Sequence, residues 1–388
     1  MVTPDPIQCL NLLKALIHVS EAKTINSSFI QRFNTSPITD ENGQVMLQGN
    51  FNLNGTKSGR MSSSGPNLMN LPSNGKLPYT KAIKECFRIC QEGDWIMGGA
   101  DFSSLEDMIS ALTTKDPNKL KVYIEGYDGH CLRAYFYFKH LMPDITLDVK
   151  SINSIKKHPI YKQYRQDSKA PTFALTYKGT AYTLMKNLGF SEKKSKAIEA
   201  EYHRMYVEAD AWVDVKLAEA CNTGYVDLAF GLKLRTPSLH QTIYHAPGQT
   251  QIASQEERTA GNALGQSYGL LNNRAAIEFR ERVMASPFRL DIKPIAHIHD
   301  AQYFLFRKNS KVLHWVNTNL IECMQWQDLP DIIHPTVKLG GQLEIYFPSW
   351  AQSAEIPNGA SELDIIRIMA GLSYANQLRT QAINNGVV

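Results

Sequence analysis

A short apolar run, Trp95-Ile-Met-Gly-Gly-Ala100, ends at the carboxylate Asp101, and about two hundred residues later a second carboxylate, Asp300, sits between two strand-like stretches. The first run suits a buried strand, and Leu105 to Leu112 reads as the helix that follows it. Ile295-Ala-His-Ile-His-Asp300 and Gln302-Tyr-Phe-Leu-Phe306 read as two strands around a tight turn. One acid at a strand end and one at a hairpin turn are placed to converge. Helical spacing covers Leu10 to Phe33, Asp128 to His140, Gln166 to Leu188 and the amphipathic stretch Ser191 to Lys216. Gln255 to Met284 is expected to be one long helix. Tyr225 to Leu234 is a hairpin candidate turning near Gly231, and a Gly- and Ser-rich segment runs from Gly55 to Gly65. With no internal repeat, the mixture predicts an α+β fold.

Composition excludes more than it selects. A chain with 20% charged and 43% hydrophobic residues has the balance of a folded soluble protein, not of a disordered one. The net charge of +4 is small for a nucleic-acid binder, but such surfaces depend on where cations cluster. Cys86 and Cys90 lack a second pair at zinc-finger spacing, so the six cysteines are expected to be reduced thiols. No run of 18 apolar residues occurs, and Pro4-Asp5-Pro6 stands where a signal peptide would carry positive charge. The expectation is no membrane span and a reducing, cytoplasmic setting, that of the host cell if the gene is viral.

Between the two carboxylates, Arg165, Lys169, Phe173 and Tyr177 recur every four residues, which aligns them as a gently drifting stripe on one helix. Cations near a helix N-terminus oppose the macrodipole, so another charge must account for them, and a triphosphate would. The rings beyond them could then contact the sugar and base of the same nucleotide. Pro171 removes one hydrogen bond from this helix and is expected to bend it. Joining a nucleotide to a 3′-hydroxyl is an in-line displacement at phosphorus, served by two metal ions about 3.5–4 Å apart. Mg²⁺ prefers carboxylate oxygens, which makes Asp101 and Asp300 the candidate bridging ligands.

These motifs resemble those of family A DNA polymerases, the group of bacterial DNA polymerase I and several phage replicative polymerases. The likeness lies in Asp101-Phe-Ser-Ser-Leu-Glu106, in Arg165-x3-Lys169-x3-Phe173-x3-Tyr177-Lys-Gly179 and in His299-Asp300. Thr56 to Ser62, Pro66 to Pro72, Asp128-Gly-His130 and Glu257-Arg258-x3-Asn262-x3-Gln266 add to it, so that it spans roughly residues 10 to 351. It implies a right-hand polymerase fold with an antiparallel palm sheet and helical fingers. The implied divisions are residual thumb helices over 1–34, palm over 35–112, fingers over 113–244, palm again over 245–351, and a C-terminal extension over 352–388. By the resemblance, Asp101 and Asp300 hold two Mg²⁺ ions, with the Phe102 carbonyl as a further ligand. His130, Arg165 and Lys169 grip the triphosphate of an incoming dNTP, Glu106 is a steric gate under the sugar C2′, Phe173 stacks by the nucleotide, and Tyr177 lies at the templating base. Arg60, Asn262, Gln266 and His299 face primer-template DNA.

The chain departs from the family pattern in four places. Ala301 follows Asp300 where the family usually has a glutamate. The stretch from His130 to Arg165 is longer than usual, and its Lys156, Lys157 and Lys162 suit either an added DNA contact or a solvated insertion. The helices before Phe33 resemble only the end of a thumb, with nothing resembling a proofreading exonuclease ahead of them. A tail beyond Trp350 carries Ile365, Ile368, Met369 and Leu372 on one helical face. The expectation is therefore a DNA-templated DNA polymerase assisted by a protein partner that supplies thumb or exonuclease, docked on the first helices or on the tail. A single-subunit RNA polymerase and a non-catalytic primer-template binding subunit are the alternatives; Glu106 speaks against the first, and the intact carboxylates and cations against the second.

Overall fold

In the computed structural model, residues 5–35, 37–41, 43–71, 78–89, 95–176, 178–242 and 251–384 are described. The strand ending at the first carboxylate, β1 (Trp95–Phe102), is the middle of a five-stranded antiparallel sheet with β2 (Ile292–Ile298), β3 (Ala301–Arg307), β4 (Gly341–Tyr346) and β5 (Ser353–Ile356). The order is β5-β4-β1-β3-β2. Asp101 pairs with Ala301 on one side and Gln342 on the other. A Cβ at Gly98 would lie 2.4 Å from the Phe306 ring and one at Gly99 2.6 Å from the Tyr303 ring, so the glycine pair lets aromatic side chains of β3 cross β1 on both faces.

The helices that position the site are α1 (Pro6–Ile25), α2 (Leu105–Thr114), α3 (Pro117–Glu125), α4 (Gly129–Phe138), α5 (Val149–Ser154), α6 (Lys162–Thr176), α7 (Glu192–Met205), α8 (Val207–Thr223), α9 (Gln251–Gln266), α10 (Leu270–Ala285), α11 (Ser310–Met324) and α12 (Glu362–Asn384). One sheet face, with Ile96, Ala100, Phe304, Phe306, Leu343 and Ile345, is buried against α2, α10 and α11. On the opposite face Met97, Ile298 and Tyr346 pack with Met69 and Trp350. A second core, including Leu132, Tyr135, Ile152, Leu175, Ile198 and Tyr202, joins α4 to α7. The fold is thus the expected α+β arrangement of an antiparallel sheet and a separate helical layer.

Several boundaries differ from the sequence expectation. The long helix over 255–284 is two helices, α9 and α10, separated by a 3₁₀ turn at Ser267–Gly269. Ser267 is fully buried there, and its hydroxyl accepts a hydrogen bond from Ala229 N (3.1 Å), so tertiary contacts override the helical periodicity. The helix over 166–188 stops at Thr176 and resumes at Ala181, because Lys178 takes φ 57° and Thr180 begins a new helix with a capping box to Thr183. Tyr206, fully buried, breaks the stretch 191–216 into α7 and α8. α6 runs through Pro171. Cys9, Cys86, Cys131, Cys221 and Cys323 are free thiols; Cys90 lies outside the described residues. No helix among the described residues is long and apolar enough to cross a membrane.

The tail corrects a further expectation. Ile365 is fully buried, and Ile368, Met369 and Leu372 pack beside it on the same core as the sheet and α11. This face is covered by the chain's own sheet and α11 and is not free to dock a partner. Along α1, by contrast, Leu13, Leu16 and Ile17 are each more than half exposed. Ile365→Ala should cost about 2–4 kcal/mol through the cavity it opens, whereas Leu16→Ala should stay within about 0.5 kcal/mol. Urea midpoints of the two variants check this, and equal shifts would contradict the packing described for the tail.

Candidate active site

The turn between β2 and β3 is the two residues His299-Asp300, and it closes only because His299 adopts φ 54°. Asn272 on α10, fully buried, braces it from below. Its amide donates to His299 O (3.1 Å) and to His297 Nε2 (2.8 Å), while its Oδ1 accepts from the buried Gln302 Nε2 (2.9 Å). His297 must accept that bond through an unprotonated nitrogen, in keeping with a pKa that burial pushes down to about 4. From above, His299 Nε2 donates to Met69 O (2.7 Å). Phe102 N donates to Asp300 O (3.2 Å), which fixes the turn against the end of β1.

Asp101 and Asp300 therefore meet at one end of the sheet, as the sequence predicts. Burial first, and then the neighbouring Asp300 charge, push the Asp101 carboxyl up to about 6. Asp300 is also raised by burial, opposed by the Arg60 guanidinium. Arg60 bridges the site, with Nη1 3.0 Å from Glu106 Oε1 and Nη2 3.2 Å from Asp300 Oδ1. It reaches there past Gly269, where a Cβ would come within 2.6 Å of Arg60 Nε. Expected to face primer-template, Arg60 thus also pairs with two residues of the carboxylate cluster.

Among the described residues no three His, Cys, Asp or Glu side chains converge as a metal-binding group. Two crowded carboxylates nevertheless suit Mg²⁺, which commonly takes one or two protein carboxylates and completes its shell with water and substrate phosphate. Phe102, whose carbonyl is the implied further ligand, closes β1 opposite Gly341.

A second cluster forms where α6 passes the start of α4. Asp128 caps α4 by accepting from Cys131 N (3.0 Å) and also holds Arg165 through Nη2 (2.8 Å) and Nε (3.1 Å). Burial raises the Asp128 carboxyl, but the bonds from Arg165 and Cys131 outweigh it and leave the pKa at about 2. His130, at the first turn of α4, has its Nδ1 buried without a hydrogen-bond partner. Burial and then the Arg133 charge push its pKa down to about 4, so it is neutral. Its ring lies 6.3 Å from that of Phe173 on α6. Lys169, one turn from Arg165, is lowered by burial and by that neighbouring cation. Tyr177 lies outside the described residues. Asn262 and Gln266 are one turn apart and half-buried on α9, which passes close to Lys178 just beyond α6.

Sequence reasoning missed the link between the two clusters. Asp107, next to Glu106 on α2, accepts from Arg133 Nη2 (2.5 Å) and Tyr123 OH (3.0 Å). Arg133 is 1% exposed, and its Nε donates to Tyr206 OH (2.9 Å). Burial would raise the Asp107 carboxyl, but Arg133 and Lys119 hold it well below the usual range. A Cβ at Gly129 would sit 3.6 Å from Asp107 Oδ2, so the turn carrying His130 lies directly against α2. The available signal was an arginine amid Leu132, Ala134 and Tyr135 on an otherwise apolar helix.

Comparison with known proteins bears on the family and the fold. The family model for DNA polymerase family A matches residues 7–350. The chain belongs to that family. It is 30% identical over 197 residues to the thermostable DNA polymerase I of Thermus filiformis, covering 51% of this chain and 21% of the relative. It is 25% identical over 304 residues to DNA polymerase I of Bacillus subtilis (strain 168), covering 77% of this chain and 30% of the relative. The chain thus spans under a third of the length of either relative. The fold is also that of the POL domain of Pol1 from M. smegmatis, solved in complex with DNA primer-template and dNTP. The TM-score is 0.69 at 20% identity, over 87% of this chain and 53% of that one.

Two outcomes are expected here. Asp107→Ala should destabilise by about 3–5 kcal/mol, because it strands a buried guanidinium, and Arg133→Met added to it should recover part of the loss; additive losses in the double variant would refute the pairing. A metal ion needs the anionic carboxylate, and the Asp101 pKa is about 6. Mn²⁺ affinity, read by electron paramagnetic resonance, should therefore be flat above pH 7 and fall by up to about tenfold per unit below about pH 6. Constant affinity down to pH 5 would remove Asp101 from the ligand set.

Proposed function

We propose that this chain is a DNA-templated DNA polymerase that extends a primer 3′-hydroxyl with dNTPs by two-metal nucleotidyl transfer. The observation that carries the reading is the convergence of Asp101 and Asp300 at one end of the sheet, beside Glu106 and Arg60. The 3′-hydroxyl gives its proton to solvent, and its oxygen bonds to the α-phosphorus of the nucleotide as the bond to the bridging oxygen of pyrophosphate breaks. Bound between Asp101, Asp300 and the Phe102 carbonyl, two Mg²⁺ ions would neutralise charge on the attacking and leaving oxygens. His130, Arg165 and Lys169 draw in the triphosphate and stabilise the departing pyrophosphate. A neutral His130 does this as a hydrogen-bond donor. Glu106, held by Arg60, would exclude a 2′-hydroxyl, and Phe173 would offer its 42% exposed ring to the nucleotide. Tyr177 would lie at the templating base. Arg60, Asn262, Gln266 and His299 would contact primer-template through groups common to all base pairs, as an enzyme copying any sequence requires.

An RNA polymerase is disfavoured by Glu106. A subunit that only holds DNA would have no use for two carboxylates set so close that the Asp300 charge raises the Asp101 pKa. A partner supplying thumb or proofreading functions belongs to the same proposal, without the tail face as its dock.

Primer extension with Mg²⁺ and either dNTPs or rNTPs separates the three readings by giving DNA, RNA or no product. Asp101→Ala and Asp300→Ala should each lower extension by at least about a hundredfold while primer-template binding persists. Glu106→Ala should raise ribonucleotide incorporation in a competition on one template. Near-normal turnover by either aspartate variant would sink the two-metal assignment.

A further inference from the structure

The segment between α4 and α6 stands out in the sequence for its length and its lysines, and its fold is specific. Ile152 and Ile155 are fully buried in the core shared with α4 and α6, and the 3₁₀ turn Ile155–Lys157 packs against α6. Between these two anchors, Asn153 points at the loop that leads into α4. Its Oδ1 accepts from Asp128 N (2.6 Å), and its Nδ2 donates to Gly126 O (2.9 Å). One side chain thus fastens the backbone on both sides of Tyr127. The Asp128 carboxylate in turn holds Arg165 by two nitrogens while capping α4 just ahead of His130. Lys156 is exposed on the turn that packs on α6, and its charge reaches Lys169, whose pKa it helps to lower.

A planar guanidinium is useful only in the orientation its partner fixes, and a carboxylate on a loop fixes nothing unless its own backbone is held. Without Asn153, the bond from Asp128 N and the bond to Gly126 O would both be lost from this loop.

We propose that residues 139–161 are a nucleotide-affinity element: Asn153 positions Asp128 so that Asp128 holds Arg165 ready for the triphosphate, and Lys156 adds a further cation beside Lys169 for the same phosphates. The proposal rests on the polymerase reading and adds to it a positioning residue and a binding residue. Asn153 acts only through Asp128 and Arg165, whereas Lys156 meets the phosphates directly.

The test uses the full chain, with dNTP-dependent extension of a primed template and inhibition by inorganic tripolyphosphate, a probe without sugar or base. Asn153→Ala should raise KM for dNTP about tenfold and the tripolyphosphate inhibition constant in proportion, with a smaller fall in kcat because Arg165 also steadies the departing pyrophosphate. Lys156→Ala should raise both roughly threefold, with the effect shrinking as salt screens it, and Lys156→Arg should restore them. Lys156 is exposed, so its variants carry the test even if Asn153→Ala fails to fold. Unchanged KM and inhibition constants, or a fall in kcat alone, in variants of an enzyme that extends primers would overturn this proposal and leave the polymerase reading intact. A wild-type chain that neither extends primers nor binds tripolyphosphate would overturn both.

Discussion

The ion pair between Asp107 and the buried Arg133 is the interaction on which the site depends. Asp107 follows Glu106, and Arg133 lies one turn beyond His130, so a single contact sets the helix that carries Glu106 against the helix that carries His130. Tyr123 and Tyr206 complete the hydrogen bonding of the two charges. Lys119, also buried, lies 4.2 Å from the Tyr206 ring without a hydrogen-bond partner at Nζ, and burial lowers its pKa to about 8. Burying so much charge is a poor way to gain stability, since desolvation offsets most of the attraction. Its effect here is geometric: Asp107 on α2 is tied to Arg133 on α4 and Tyr123 on α3, and Arg133 is tied to Tyr206 at the start of α8.

The carboxylate end of the sheet follows the opposite rule. Asp101 and Asp300 are crowded and raised in pKa, and the nearby cation, Arg60, binds Asp300 and Glu106. A site in this state gains when a divalent cation enters it, because like charges held together by the fold are relieved all at once. The framework that holds them there is neutral: Asn272 and Gln302 below the turn, Met69 O above it. Separating charge from scaffold in this way lets the ionisation of the site change without disturbing the hairpin.

Much of this was legible in the residues. The run into Asp101, the hairpin at His299-Asp300, the helix after Ser104 and the stripe of Arg165, Lys169 and Phe173 all fold as their local periodicity dictates, because each is a short element whose apolar face and turn chemistry agree. Errors came where one periodic stretch hides a break. Nothing local marks Ser267 as the residue that interrupts 255–284, since its partner is Ala229, and nothing marks Tyr206 as fully buried. The apolar face of α12 was visible, but spacing alone could not say whether a partner or the chain's own core covers it.

The sequence by itself determined which chemical groups are present and in what order: one carboxylate at the end of a strand and one in a hairpin turn, a cationic and aromatic helix face, and an Asp-Gly-His turn before a helix. Those are properties of short segments, fixed by periodicity and turn preference. Tertiary structure alone decided which charge answers which. Arg60 meets Glu106 and Asp300, Asp107 meets Arg133, Asp128 meets Arg165, and Asn153 meets the backbone of Asp128. Each of these pairs joins residues at least 25 positions apart, and electrostatic pairing depends on distance and burial, which sequence spacing does not encode.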